Sequence, residues 1–146
     1  MATQHAIDEA DIRARIDKLV EAVRAMDLEG VKAIYAPDIV SFDFEPPLQH
    51  VGAPKKWKNW EGVFAAYQPP LDYEIRDLEL TVGADLAFGR SLSRISGTLK
   101  NGHKSGHWVR STTCYRKIGG TWLMVHDHVS VPTDLRSGKA MLSLEP

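Results

Sequence analysis

The sequence predicts an α+β protein, with helices leading and a β meander closing the chain. Three observations carry that reading. Apolar residues near the N-terminus recur at helical spacing. A second helical stripe, heavily aromatic, opens on Ala53-Pro54. From Tyr73 onward, alternating segments are joined by glycine-bearing turn signals. The predicted order is α-α-β-(β)-α-β-β-β-β.

The first helix is expected from Ile12, Ile16, Leu19, Val20 and Val23, with Met26 extending the stripe. Asp8 is the expected N-cap, and Glu9 and Asp11 complement the helix dipole. Asp27 caps a shorter second helix carrying Leu28, Val31, Ile34 and Tyr35, which Pro37 stops. In the strand expected from Asp38 to Phe44, Ile39, Ser41 and Asp43 face one way, opposite Val40, Phe42 and Phe44. Leu48 to Val51 returns as a short strand. The third helix starts at Ala53-Pro54, since proline suits a first turn, and carries Trp57, Trp60, Phe64 and Tyr67 before Gln68-Pro69-Pro70 ends it.

The meander follows. Tyr73 and Ile75 share one parity and Leu78, Leu80 and Val82 the other, which predicts a bulge near Arg76-Asp77. Leu86–Leu99, Lys104–Lys117 and Thr121–Val131 are the next strands, joined by Asn101-Gly102 and Gly119-Gly120. Pro132 closes the sheet, and Leu135–Leu144 reads as a weak tail with one helical turn at most.

The 146 residues, 43% hydrophobic and 25% charged, fit one domain spanning 1–146, with 1–7 and 133–146 as peripheral tails. Eighteen basic against nineteen acidic residues argue against nucleic acid or an anionic membrane as the main partner, because both reward a concentrated basic patch. No apolar run approaches a transmembrane span and no signal peptide is visible. The single Cys114 excludes an intrachain disulfide framework and fits a reducing, cytoplasmic location. Phosphate-binding glycine loops and the Gly-x-Ser-x-Gly elbow are absent from the sequence.

Several local phrases then resemble the nuclear-transport-factor-2-like superfamily, in its SnoaL-like branch of polyketide cyclases and ketosteroid isomerases. They are Met26-Asp27-Leu28-Glu29-Gly30-Val31, Ile34-Tyr35-Ala36-Pro37-Asp38, Arg116-Lys117-Ile118-Gly119-Gly120-Thr121-Trp122 and Val125-His126-Asp127-His128-Val129-Ser130. The phrase His126 to Ser130 also resembles the end of the association domain of calcium/calmodulin-dependent kinase. The resemblance runs from about Ile12 to Pro132. It implies a strongly bent antiparallel sheet wrapped around three helices, a cone with a pocket at its open end, and a homodimer formed through the outer sheet surface.

Asp43 is similar in position to the catalytic aspartate of ketosteroid isomerases, where a carboxylate moves a proton beside a carbonyl; this enzyme class is also a standard illustration of tuned acidity. A partly apolar pocket would make such a carboxylate more basic. The alternative is a strand-end carboxylate bonded to the next turn. The resemblance also implies an oxyanion donor on the first helix and a carboxylic acid on a late strand. Leu19 and Thr112 or Thr113 stand at those places, so another donor is required.

Arg110 is the candidate donor, on the strand face that carries Trp108, Thr112 and Cys114. Pointed inward, this face would supply Trp108 and Thr112 as ligand contacts; pointed outward, Trp108 would anchor a dimer. His126 and His128 share a parity with Trp122 and Met124, and Asp127 takes the other; only one set can line the pocket. The pair is expected as hydrogen-bonded or proton-transferring histidines, His128 foremost, rather than as metal ligands completed by His103 or His107.

The Trp57 stripe is core by default, with Trp60 or Tyr67 reaching the cavity mouth. The small face of Ala87, Gly89, Ser91 and Ser93 either admits a helix closely or leaves room for a ligand. The expectation is a pocket protein for a small apolar or carbonyl compound, needing no cofactor or metal. Asp43 would be its base, Arg110 its anion stabiliser, His128 its proton shuttle, and Trp60, Trp108, Thr112 and His126 its ligand contacts. The competing expectation is a non-catalytic ligand-binding or dimerisation module.

Overall fold

A computed structural model describes all of residues 1–146. In chain order the elements are α1 (Gln4–Arg24), α2 (Leu28–Lys32), β1 (Tyr35–Phe42), β2 (His50–Val51), α3 (Ala53–Ala66), β3 (Tyr67–Val82), β4 (Leu86–Leu99), β5 (Lys104–Ile118), β6 (Thr121–Ser130), β7 (Thr133–Asp134) and β8 (Lys139–Ala140). The first six strands form one curved sheet in the order β2-β1-β6-β5-β4-β3, wrapped around the helices; β7 and β8 pair separately. No helix is long and apolar enough to cross a membrane.

Helix α1 begins four residues before the expected Asp8. Thr3 is its N-cap, its hydroxyl accepting from the Ala6 N–H at 3.2 Å. Ile12, Ile16, Leu19 and Val23 are buried as their spacing requires, and Ala22 joins them. Asp8 sits inside the first turns with no exposed surface. Its Oδ1 accepts from Trp122 Nε1 at 3.1 Å, Lys117 Nζ at 3.0 Å and Gln4 Nε2 at 3.2 Å, tying α1 to the β5–β6 hairpin. The Trp122 N–H leads in holding this carboxyl below its usual range, against burial, with Lys117 and Gln4 assisting.

Asp27 caps α2 as expected, accepting from the Gly30 N–H at 3.1 Å. Strand β1 starts at Tyr35, so Pro37 lies inside it, and α3 ends at Ala66, before the prolines, which β3 carries. The C-terminal segment forms the short β7–β8 ribbon rather than a helical turn.

Strands β3 to β6 form the antiparallel meander, and β1 adds to β6 in parallel. The β3 register shifts between Arg76 and Glu79, where Asp77 has φ +58°, which is the expected bulge. Gly119 and Gly120, at φ +57° and +84°, make the β5–β6 turn that only glycine adopts without strain.

A second bulge alters the site. In the β5–β6 ladder Tyr115 pairs with Met124 and Cys114 with His126, so Val125 is an extra residue without a partner. Side chains alternate strictly along a strand, and one inserted residue exchanges the faces beyond it. Trp122 and Met124 point inward, and past the bulge so do Asp127 and Val129, which turns His126 and His128 outward.

Asp8→Asn is expected to lower the melting temperature at neutral pH, because Lys117 loses its charged partner. A carboxyl depressed in the folded state contributes stability above its unfolded pKa of about 3.9, which disappears as pH falls through the folded value. Melting curves of both proteins should therefore converge in acid. A constant offset at every pH would mean that the ion pair is not the source.

Candidate functional site

The concave side of the sheet and the inner faces of α1 and α3 enclose a mainly apolar cavity of about 190 Å³. Leu19 and Trp60 wall it from the helices, and Ile95, Val109, Met124 and Val129 from the strands. Phe44, the most exposed wall residue, marks the mouth, its ring edge-on to His107 at 5.3 Å.

Lys56 lies at the polar end. It follows Ala53 by three residues and precedes Trp60 by four, so these three share the buried face of α3. Only 4% of Lys56 is exposed. Its ammonium reaches Asp127 Oδ2 at 2.9 Å, Ser41 Oγ at 3.1 Å and Asp43 Oδ2 at 3.4 Å. An ammonium has three donors, and these contacts use all of them. Burial alone would lower the Lys56 pKa, but Asp127 and then Asp43 outweigh it and raise it.

The two carboxylates differ in what they leave free. Asp43 Oδ2 also accepts from Asn59 Nδ2 at 3.0 Å, and its Oδ1 accepts from the Phe44 N–H at 3.0 Å, so both oxygens are engaged. Asp127 Oδ1 is buried at the cavity wall without a partner. Such atoms are rare in folded proteins, because desolvating a charged oxygen without a donor is costly. Tyr35 also lines the cavity. Its hydroxyl oxygen accepts from Trp60 Nε1 at 3.1 Å, which leaves its own hydrogen uncommitted. Burial, then the Asp127 charge, hold the Tyr35 pKa well above the usual phenol value, so the group stays protonated. Burial also pushes Tyr115 up to about 12.

Of the residues singled out from the sequence, Asp43 and Trp60 border this cavity, as do Asp127, the alternative to the two histidines, and Tyr67. Arg110, His128, Trp108, Thr112 and His126 do not line it. On β5 the inward set is His107, Val109, Ser111, Thr113 and Tyr115, so Trp108, Arg110 and Thr112 lie on the outer face. Arg110 is exposed and donates through Nε to Ser130 Oγ at 3.2 Å. Trp108 is buried by other means: Arg76 and Arg94 stack on it at 4.7 and 5.1 Å, and its Nε1 donates to Glu145 Oε2 at 3.1 Å. Thr112 is exposed. The Val125 bulge puts His128 outside and exposed. It leaves His126 with Nδ1 2.6 Å from the Val40 carbonyl and its ring against Phe42.

Sequence reading passed over Lys56, Asn59 and Tyr35. A signal for Lys56 was present, since a lysine at core spacing between Ala53 and Trp60 has no solvated face to occupy. On β4, Ser93 borders the cavity. A Cβ on Gly89 would meet Leu80 at 2.9 Å, so that part of the small face serves close packing.

A family model described as a SnoaL-like domain matches residues 12–134. Among solved structures, the chain is similar to an NTF2-like protein of unknown function from Pseudomonas putida KT2440. That similarity has 33% identity and a TM-score of 0.86, over 96% of this chain and 97% of that one. It is also similar to a ketosteroid isomerase-like protein from Erwinia carotovora atroseptica SCRI1043, with 26% identity and a TM-score of 0.69, over 83% and 93% of the two chains. The association domain of the C. elegans calcium/calmodulin-dependent kinase CaMKII shares the fold, with 18% identity and a TM-score of 0.69, over 87% and 98%. No curated protein matches the chain.

Replacing Lys56 with methionine leaves two carboxylates facing each other in a buried site. The expected cost near neutral pH is about 3–5 kcal/mol in urea unfolding. A lysine pKa raised in the folded state contributes stability that is complete below the unfolded value of about 10.4 and is lost as pH rises through the folded one. Wild type should therefore weaken more steeply than the variant in strong alkali. A cost below about 1 kcal/mol would show that the ion pairs carry little.

Proposed function

The chain belongs to the SnoaL-like domain family, and we propose that within it this protein is a cofactor-independent proton-transfer enzyme, an isomerase, cyclase or dehydratase of a small carbonyl compound. The observation that carries this reading is the unpartnered Asp127 Oδ1 on a buried side chain at the wall of an apolar cavity. A carboxylate oxygen free of donors and facing the cavity is open to a substrate C–H, and proton abstraction beside a carbonyl needs a base within such reach.

Asp127 Oδ1 takes the proton from the carbon next to the carbonyl. The bonding pair moves toward the carbonyl oxygen, where the uncommitted Tyr35 O–H donates to the developing enolate. Trp60 holds that hydroxyl in place, and Lys56 holds Asp127 by its other oxygen. The protonated Asp127 then returns its proton to another carbon, giving isomerisation, or to a departing hydroxyl, giving dehydration. Asp43 keeps a supporting part, because its Oδ2 is already engaged by Lys56 and Asn59 and its Oδ1 by the Phe44 N–H.

The second reading, a dimerisation module, is favoured by a separate observation. On the outer face Phe88, Cys114, His126 and Val40 align across the sheet, beside Arg90, Thr112, His128 and Phe42. Phe88 and Phe42 are 49% and 36% exposed there, an apolar centre with a polar rim that suits a two-fold pairing. The two readings are compatible within one protein.

Cyclohexanone, cyclohexenone and acetophenone in heavy water are the first probes. Protein-catalysed deuterium uptake beside the carbonyl, followed by NMR, is expected for at least one, and Asp127→Asn should slow it by about 10²–10⁴. Uptake unchanged in that variant would remove Asp127 from the chemistry. For the outer face, light scattering should give a dimeric mass that Phe88→Glu reduces to the monomer; a monomeric wild type would end that reading.

A further inference from the structure

Donors and acceptors at the polar end of the cavity are not matched to one another: the Tyr35 O–H stays uncommitted while Asp127 Oδ1 has no donor within hydrogen-bond reach. All three Lys56 N–H groups are used, one Asn59 N–H is used on Asp43, and the Trp60 N–H is used on Tyr35. Asp127 Oδ1 remains as a charged acceptor without a donor. The charges do not balance either. Two carboxylates face one ammonium, which leaves one negative charge uncompensated beside mainly apolar walls. Charges interact strongly in such surroundings because little water screens them.

From this imbalance we propose that the cavity selects uncharged, single-ring molecules that bring a hydrogen-bond donor to Asp127, and that it rejects carboxylate-bearing ones. The inference rests on the Asp127 site described above but concerns ligand choice rather than turnover. A donor placed on Oδ1 satisfies an acceptor that the fold leaves open at the cavity wall, which recovers part of its desolvation cost. A ligand of the same shape without a donor leaves that oxygen bare. An anionic ligand adds repulsion from the uncompensated charge, so discrimination against it is built into the site. Size points the same way. An apolar cavity of ~150 Å³ accepts benzene, and this one, at about 190 Å³, has room for one ring with a small substituent.

Phenol, toluene and benzoate separate these effects, since they share a ring and differ in donor and charge. Their affinities are to be measured by NMR titration at about pH 8, where imidazole is in general neutral. Phenol is expected to bind at least about tenfold more tightly than toluene, and benzoate to show no saturable binding. In Asp127→Asn the uncompensated charge is gone, so the phenol preference should shrink and benzoate should gain affinity. Benzoate binding to wild type as tightly as phenol, or no binding by any of the three, would overturn the proposal. The wild-type order alone decides the matter if the variant fails to fold. Phenol selectivity without deuterium uptake would defeat only the enzymatic reading; uptake without phenol selectivity would defeat only this one.

Discussion

The buried ammonium of Lys56 is the constraint on which the rest of the site depends. It draws together α3, which carries it, β1 through Ser41 and, just past the strand's end, Asp43, and β6 through Asp127. A charge at this depth is tolerable only when its partners are close and its hydrogen-bond capacity is filled, and both conditions hold. The same bonds make the two carboxylates unequal. Asp43 is fully engaged, whereas Asp127 is gripped by one oxygen and left bare at the other. A position of reactivity thus arises from how the ion pair is shared.

The sheet has two faces with different chemistry, and register decides which residue serves which. Inside, tyrosines, a tryptophan and aliphatic side chains surround the Lys56 cluster. Outside, Arg110, Thr112 and His128 meet solvent, while Trp108 is closed over by Arg76, Arg94 and the C-terminal Glu145. Both faces are rich in groups that could do chemistry, but only the inner one removes them from water, where electrostatic effects become large. The shared fold with ketosteroid isomerase-like and association-domain structures leaves function open, because folds host many activities. At the cavity wall this chain has Leu19 and Thr113 and takes its free phenol from Tyr35 on β1.

Much of the architecture was readable in the amino-acid order alone. The α1 stripe, the Asp27 cap, the proline-led α3, the Arg76-Asp77 bulge and the Gly119-Gly120 turn all follow from local rules of spacing, capping and backbone freedom, which a linear sequence carries. The shared face of Ile39, Ser41 and Asp43 was legible too, since β1 alternates from Ile39 to Ser41, although alternation alone left open whether Asp43 meets a pocket or the next turn. What only the tertiary structure decided depends on pairing between distant segments. The unpaired Val125 exists only relative to Met124 and His126 on the β5–β6 ladder, and it exchanges Asp127 for His126 and His128 at the cavity. The face that β5 turns inward depends on the neighbours that cover it. Lys56 is a surface residue by type and a core residue by position, and it becomes tolerable there only once β1 and β6 bring Ser41, Asp43 and Asp127 around it. Local order determined the elements; long-range register determined which of their side chains meet.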